Sequence, residues 1–417
     1  MGHFVFAQEN KDQRYNRFQY HKLRWRVFHA DAYHIYYPMY ADSLSSFIAR
    51  QYPDAVSEVK KRMISGLDKA PNIVVYPSVD QYYESNIGSF EPQQYTLPTL
   101  VVKGNRLVLS FTGSYSDLKA QLQETIARSV WERKIKEGSM ENQAKGPKGE
   151  AIPMWFKEGA IRYFAHGWTV QAEDALKLSF RQNSFLDWYQ VISYQPRLSG
   201  QALCYFLSEK YFKMAPAQVF NQLKKKDLQR SLRLLTKKDL NILFAQCFDF
   251  YKDRFSIEIK KPISSTGYVF PHKEGIVRTI TVSPDEKYIA YTATAKGKRT
   301  VYVCDSRSKV SIKVTEYTLP PWISDHSKDQ YPLVRWASNG RELQIAMPVK
   351  GKVTIQRYTP GGSQIEATKL YGVDGIHSFQ SLSDREYLLA GYRRGQSDNV
   401  TYNERRDIYM PYTTDIY

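Results

Sequence analysis

Leu118, Leu122, Ile126 and Val130 recur at every fourth position, which places them on one face of a helix. Leu240, Leu243, Phe244, Cys247 and Tyr251 mark a second helical stripe. Earlier in the chain, His34-Ile35-Tyr36-Tyr37, Ile73-Val74-Val75-Tyr76 and Arg106-Leu107-Val108-Leu109 read as strands, with a helix predicted over residues 42–65. After Pro262 the pattern changes to a period of two. Tyr288 to Thr292 and Thr300 to Val303 flank Lys296-Gly297-Lys298 as a hairpin, and Leu343 to Ala346 and Val353 to Ile355 flank Lys350-Gly351-Lys352 in the same way. Polar turns recur before strands: Ser283-Pro284-Asp285-Glu286-Lys287 before Tyr288, Ser338-Asn339-Gly340-Arg341-Glu342 before Leu343 and Ser383-Asp384-Arg385-Glu386 before Tyr387. Asp285, Asn339 and Asp384 lie 54 and 45 residues apart, a period suited to four-stranded propeller blades. The expected fold class is therefore α+β: a mixed sheet plus a helical half, followed by a partial β-propeller of about three blades. A closed propeller takes about four to eight blades, so the array is expected to stop inside a longer propeller or to need a partner over its open edge.

Composition narrows the classes without naming one. The 417 residues are 42% hydrophobic with three cysteines, which excludes a disordered tail, a collagen-like chain and a disulfide scaffold. Cys204, Cys247 and Cys304 are far apart among apolar neighbours and read as small buried hydrophobes. No apolar run approaches the roughly 18 residues that cross a bilayer. The net charge is +17 with 32 tyrosines, a combination that invites a nucleic-acid reading. No reader motif supports it: the Tyr-rich stretch 33–40 alternates as a strand, and residues 221–261 carry eleven Lys/Arg against five Asp/Glu on amphipathic helices such as 237–255. That surplus reads as a solvated face or as a surface for an acidic partner or anionic lipid. Residues 1–10, with apolar Phe4-Val5-Phe6-Ala7, read either as a signal-peptide remnant or as an ordinary frayed start.

The candidate chemistry lies in two segments. Gln123-Glu124-Thr125-Ile126-Ala127 sits on the first predicted helix, and Trp155-Phe156-Lys157-Glu158-Gly159 opens another. This is the spacing of gluzincin-type zinc peptidases. In those, a His-Glu-x-x-His helix supplies two ligands and a general base, and a Glu on the next helix is the third ligand. Glu124 stands at the base position and Glu158 at the third-ligand position, but Gln123 and Ala127 replace both histidines. Glu124 and Glu158 are accordingly read as vestigial, with no catalytic residue and no metal expected. His166, eight residues after Glu158, is the one histidine near enough in sequence to share that helix face.

Arg17-Phe18-Gln19-Tyr20, Leu23-Arg24-Trp25, Ala32-Tyr33-His34-Ile35-Tyr36-Tyr37, Trp155-Phe156-Lys157-Glu158-Gly159, Gly167-Trp168 and Gly200-Gln201-Ala202, taken in order, resemble the peptidase-MA-like (gluzincin) domain. That domain precedes a TolB-like β-propeller in envelope proteins of Bacteroidota. Ser283-Pro284-Asp285 resembles the usual blade turn, and Gly395-Gln396-Ser397-Asp398 with Thr414-Asp415-Ile416-Tyr417 resembles the end of one blade and the lead into the next. The resemblance implies a degenerate peptidase-MA-like domain over residues 11–261, a partial propeller over 262–417 and truncation at Tyr417. It also implies export to the periplasm or outer membrane, which favours the signal-peptide reading of the N-terminus.

The expected function is a non-catalytic envelope scaffold that binds protein partners, acidic ones among them, and an anionic membrane surface. No nucleic acid and no cofactor are expected. The alternative is a zinc-dependent metallopeptidase with a rearranged site built from Glu124, Glu158 and His166, under which zinc would be required. A third reading has the propeller opening hold a small ligand or peptide.

Overall fold

The computed structural model describes residues 22–85, 102–103, 105–143, 152–259, 275–319, 331–383, 385–406 and 408–413. Several expectations lie outside these residues: the signal-peptide remnant, Arg17 to Tyr20, the turn residue Asp384 and the segment Thr414 to Tyr417.

The first described strands form a mixed sheet. β1 (Trp25–Ala30) and β2 (Tyr33–Pro38) make a hairpin, α1 (Asp42–Met63) crosses over, and β3 (Asn72–Tyr76) returns parallel to β2. After α2 (Val79–Glu84), β4 (Val102–Lys103) and β5 (Arg106–Ser110) complete the order β1-β2-β3-β5-β4. The α1 crossover buries Leu44, Phe47, Ile48, Tyr52, Ala55, Val59 and Met63, a helical stripe that covers Ile35, Ile73, Val75, Leu107 and Leu109 of the sheet. It ends two residues before the predicted Ser65, because Ile64 adopts a left-handed conformation (φ 51°) that stops the helix.

Helices follow: α3 (Tyr115–Gln143), α4 (Met154–His166), α5 (Val170–Gln182), α6 (Trp188–Tyr194), α7 (Pro196–Lys210), α8 (Ala215–Leu223), α9 (Leu228–Thr236) and α10 (Leu240–Ile259). The predicted stripe Leu118, Leu122, Ile126 and Val130 is fully buried on α3, and Leu243, Phe244, Cys247 and Tyr251 are buried on α10. One hydrophobic cluster runs from Tyr33 to Phe255, so the sheet and the helices share a core. The predicted helix over 237–255 starts later, at Leu240. Lys237 instead closes α9 in a left-handed conformation. The three cysteines are buried free thiols, as their neighbours implied.

The remaining strands form three separate four-stranded antiparallel meanders. The first is β6 (Ile276–Val282), β7 (Tyr288–Ala295), β8 (Lys298–Asp305) and β9 (Ser311–Thr318). The second is β10 (Leu333–Trp336), β11 (Leu343–Val349), β12 (Lys352–Tyr358) and β13 (Gln364–Lys369). The third is β14 (Gly375–Ser383), β15 (Glu386–Arg393), β16 (Gln396–Asn403) and β17 (Ile408–Pro411). In each sheet the second and third strands are joined by a two-residue loop ending in glycine: Lys296-Gly297, Lys350-Gly351 and Arg394-Gly395. Both residues of every loop have positive φ, the geometry that matches strand twist in a tight hairpin. Ala290, Val301 and Val303 pack on Val334, Trp336, Leu343 and Ile345, and Val353 and Ile355 of the second sheet pack on Ile376, Phe379, Tyr387 and Leu389 of the third. The sheets therefore stack face to face in chain order.

The third sheet touches the α/β part through its hairpin. The Gly395 carbonyl accepts hydrogen bonds from Tyr115 Oη (2.8 Å) and Ser43 Oγ (3.2 Å), and Tyr392 meets Phe111 edge to face at 5.8 Å. Among the described residues, no helix is long and apolar enough to cross a membrane.

Candidate functional site

Helices α3, α4 and α7 bring the predicted residues together. On α3, Glu124 and Arg128 are one turn apart and share a face. On α4, Glu158, Arg162 and His166 repeat at every fourth residue, so they also share one. The backbones of α4 and α7 approach closely enough to require glycine at both crossing positions. A Cβ on Gly159 would lie 2.4 Å from the Gly200 Cα, and one on Gly200 would lie 2.4 Å from the Trp155 carbonyl oxygen. This crossing places Arg197, in the first turn of α7, beside Glu124.

At the centre lies an ion network. Arg128 grips Glu158 with both ends of its guanidinium, Nη1 to Oε1 at 2.7 Å and Nη2 to Oε2 at 2.6 Å. The same Nη2 is 3.7 Å from Glu124 Oε1, so Arg128 spans the two carboxylates. Glu124 also accepts a hydrogen bond from Arg197 and has His166 Nε2 3.6 Å from its other oxygen. The Glu124 side chain is 4% exposed and that of Arg197 7%. Burial alone would raise the Glu124 carboxyl, but Arg197, His166 and Arg128 outweigh it and hold the group well below the usual carboxylate range. Glu158 is lowered the same way, burial being overcome by Arg128. For Arg162, burial and the nearby charge of Arg197 lower its affinity for the proton, with Glu124 in partial opposition.

A carboxylate held this far below neutral pH, with Arg197 and Arg128 both at one of its oxygens, is a poor general base. Zinc does not fit this residue set either. Positions 123 and 127 carry an amide and a methyl group, Ala127 is sealed in the core, and an arginine lies between the two carboxylates. Among the described residues, no three His, Cys, Asp or Glu side chains converge as metal ligands.

Other residues of the resembling motifs have packing roles. Gly167 ends α4 with φ 71°, and its carbonyl accepts a hydrogen bond from Gln201 Nε2 at 2.8 Å. Trp168 stacks on Tyr205 at 5.2 Å and donates to Glu173, which Arg254 clamps with two bonds. Sequence reasoning missed Arg128, Arg162 and Arg197. The first two could have been found by helical spacing, four residues from Glu124 and from Glu158. Arg197 reaches Glu124 only through the helix crossing.

No protein family matches the chain, and no curated protein does. Solved structures that resemble part of it include TolB from Acinetobacter baumannii, at 14% identity and a TM-score of 0.28, with 34% of this chain and 33% of that one covered. The β-propeller domain of the Trilobed protease from Pyrococcus furiosus aligns at 15% identity and a TM-score of 0.24, over 34% of this chain and 43% of that one. The AtxE2 isopeptidase aligns at 13% identity and a TM-score of 0.24, over 32% and 28%. The chain thus spans about a third of the length of the TolB structure it matches.

Proposed function

We propose that this chain is a non-catalytic envelope protein, periplasmic or associated with the outer membrane, in which a pseudo-peptidase part and propeller-like sheets present surfaces to protein partners. One observation carries the reading: Arg128 spans Glu124 and Glu158, the base and third-ligand positions of the resembling peptidases. The +17 net charge and the exposed Arg230 and Arg233 on α9 suit an acidic partner or an anionic membrane surface. The second reading, a rearranged zinc site of Glu124, Glu158 and His166, draws on the approach of His166 to Glu124, but it requires the arginines to leave. Equilibration of purified protein with excess zinc, followed by desalting and metal analysis, distinguishes the two. The expected result is no stoichiometric zinc and no chelator-sensitive cleavage of a peptide library. One zinc per chain together with such cleavage would overturn the proposal.

A further inference from the structure

Between the end of α5 and helix α6 the surface sinks into an open hollow of about 720 Å³, large enough for a small molecule. Phe185, Tyr189 and Tyr194 line it with aromatic rings. The rings are held from behind. Phe185 meets Phe180 edge on at 5.5 Å, and Tyr189 meets Phe244 edge on at 5.2 Å while donating through Oη to Asn241 Oδ1 at 2.7 Å. Tyr194 leans on Phe185 at 5.7 Å. Tyr189 and Tyr194 nevertheless stay 47% and 49% exposed. One exposed tyrosine is ordinary, whereas rings fixed by packing around a common hollow form a prepared surface.

The polar groups of the hollow are fixed too. Gln190 accepts the Leu186 N–H through Oε1 at 3.0 Å, which leaves its NH2 as a donor. Asn183 gives Nδ2 to the Ser179 carbonyl at 2.9 Å, which leaves Oδ1 as an acceptor. Asp187 accepts the Gln190 N–H through Oδ1 at 2.9 Å and keeps Oδ2. Gln182, Ser184 and Ser193 add an amide and two hydroxyls. Among the described residues, the lining holds no Lys, Arg or His, and Asp187 is its one acid.

We propose that this hollow binds a neutral carbohydrate, whose C–H faces lie on Tyr189 and Tyr194 while its hydroxyls pair with the donors and acceptors around them. An anion would face Asp187 with no cation to pair with, and a cation would face the Gln190 amide hydrogens. A sugar hydroxyl both donates and accepts, so it satisfies both kinds of group. Groups already held in place lose little freedom when the ligand arrives. The site is built from other residues than the ion network and stands whichever reading of that network holds.

The test is saturation-transfer NMR and calorimetric titration of the full chain with cellotriose, maltotriose and triacetylchitotriose, with choline chloride and a tetraproline amide as the cationic and peptide comparisons. Saturation is expected to pass to the ring protons of at least one trisaccharide, and the preferred one names the sugar and its linkage. Tyr194→Ala should weaken that binding by at least about tenfold and Tyr194→Phe by less, with circular dichroism showing that both variants fold. Gln190→Glu, which keeps an acceptor for Leu186 and loses the donor, should weaken it as well. Indifference of the wild type to all three sugars overturns the site, as does undiminished binding by folded Tyr194→Ala or Gln190→Glu. Binding of choline or tetraproline in place of the sugars overturns the ligand class.

Discussion

Glu124 makes the ion network sensitive to acid. Its carboxyl titrates lower in the folded chain than in the unfolded one, so the unfolded state binds more protons as the solution is acidified. The stability tied to this group is complete above the ordinary glutamate value of about 4.3 and is lost as pH falls through the lower folded value. Glu124→Gln should therefore cost about 3–5 kcal/mol at neutral pH by taking away the buried carboxylate to which Arg197 donates and which Arg128 faces. Urea unfolding from pH 7 down to pH 3 should show the gap between wild type and variant narrowing in acid. A gap that stays constant over that range would mean Glu124 is not the titrating group. At this scale the sequence was informative in part. Glu124 and Glu158 stood out by their spacing, but the cations that neutralise them were hidden, because side-chain partners on different helices are chosen by helix crossing and not by local pattern.

The crossing of α4 and α7 shows why two glycines in resembling motifs need not signal chemistry. In an exposed helix interior, Gly→Ala stabilises by about 1 kcal/mol. At Gly159 the added methyl would meet the backbone of α7, which cannot swing aside as a side chain can. Gly159→Ala is expected to destabilise by about 1–3 kcal/mol, read as a lower melting temperature; a rise would refute the close crossing. The helical stripes of α3 and α10 and the Lys-Gly hairpins were legible because their apolar period and turn chemistry are local. β1 was not, because Trp25, Val27 and Phe28 are exposed at the sheet edge and give no inward-outward alternation. α2 escaped because it is a six-residue helix whose start rests on a Ser78 cap rather than on an apolar stripe.

For the whole molecule, the hairpin at Gly395 ties the third sheet to the α/β part. Gly297 has nothing within 4 Å of where a Cβ would sit, so Gly297→Ala should cost only the left-handed strain of about 1–2 kcal/mol. Gly395→Ala carries that strain and also drives a methyl into Leu44, 2.6 Å away. Hydrogen exchange should show faster opening around Tyr115 and Phe111 in Gly395→Ala and no change there in Gly297→Ala. Equal exchange in both variants would mean the hairpin does not hold the two parts together. The change of period near residue 262 pointed to a new kind of structure, whereas this long-range contact left no trace in any local pattern.

A bound metal is always in exchange with its surroundings, and a protein that relies on one inherits the fluctuations of its supply. Arg128 joins the Glu124 and Glu158 carboxylates with a cation that is covalently part of the chain. The junction of α3 and α4 is thereby immune to starvation, chelation and replacement by the wrong ion, and the proton is left as the one small cation able to loosen it.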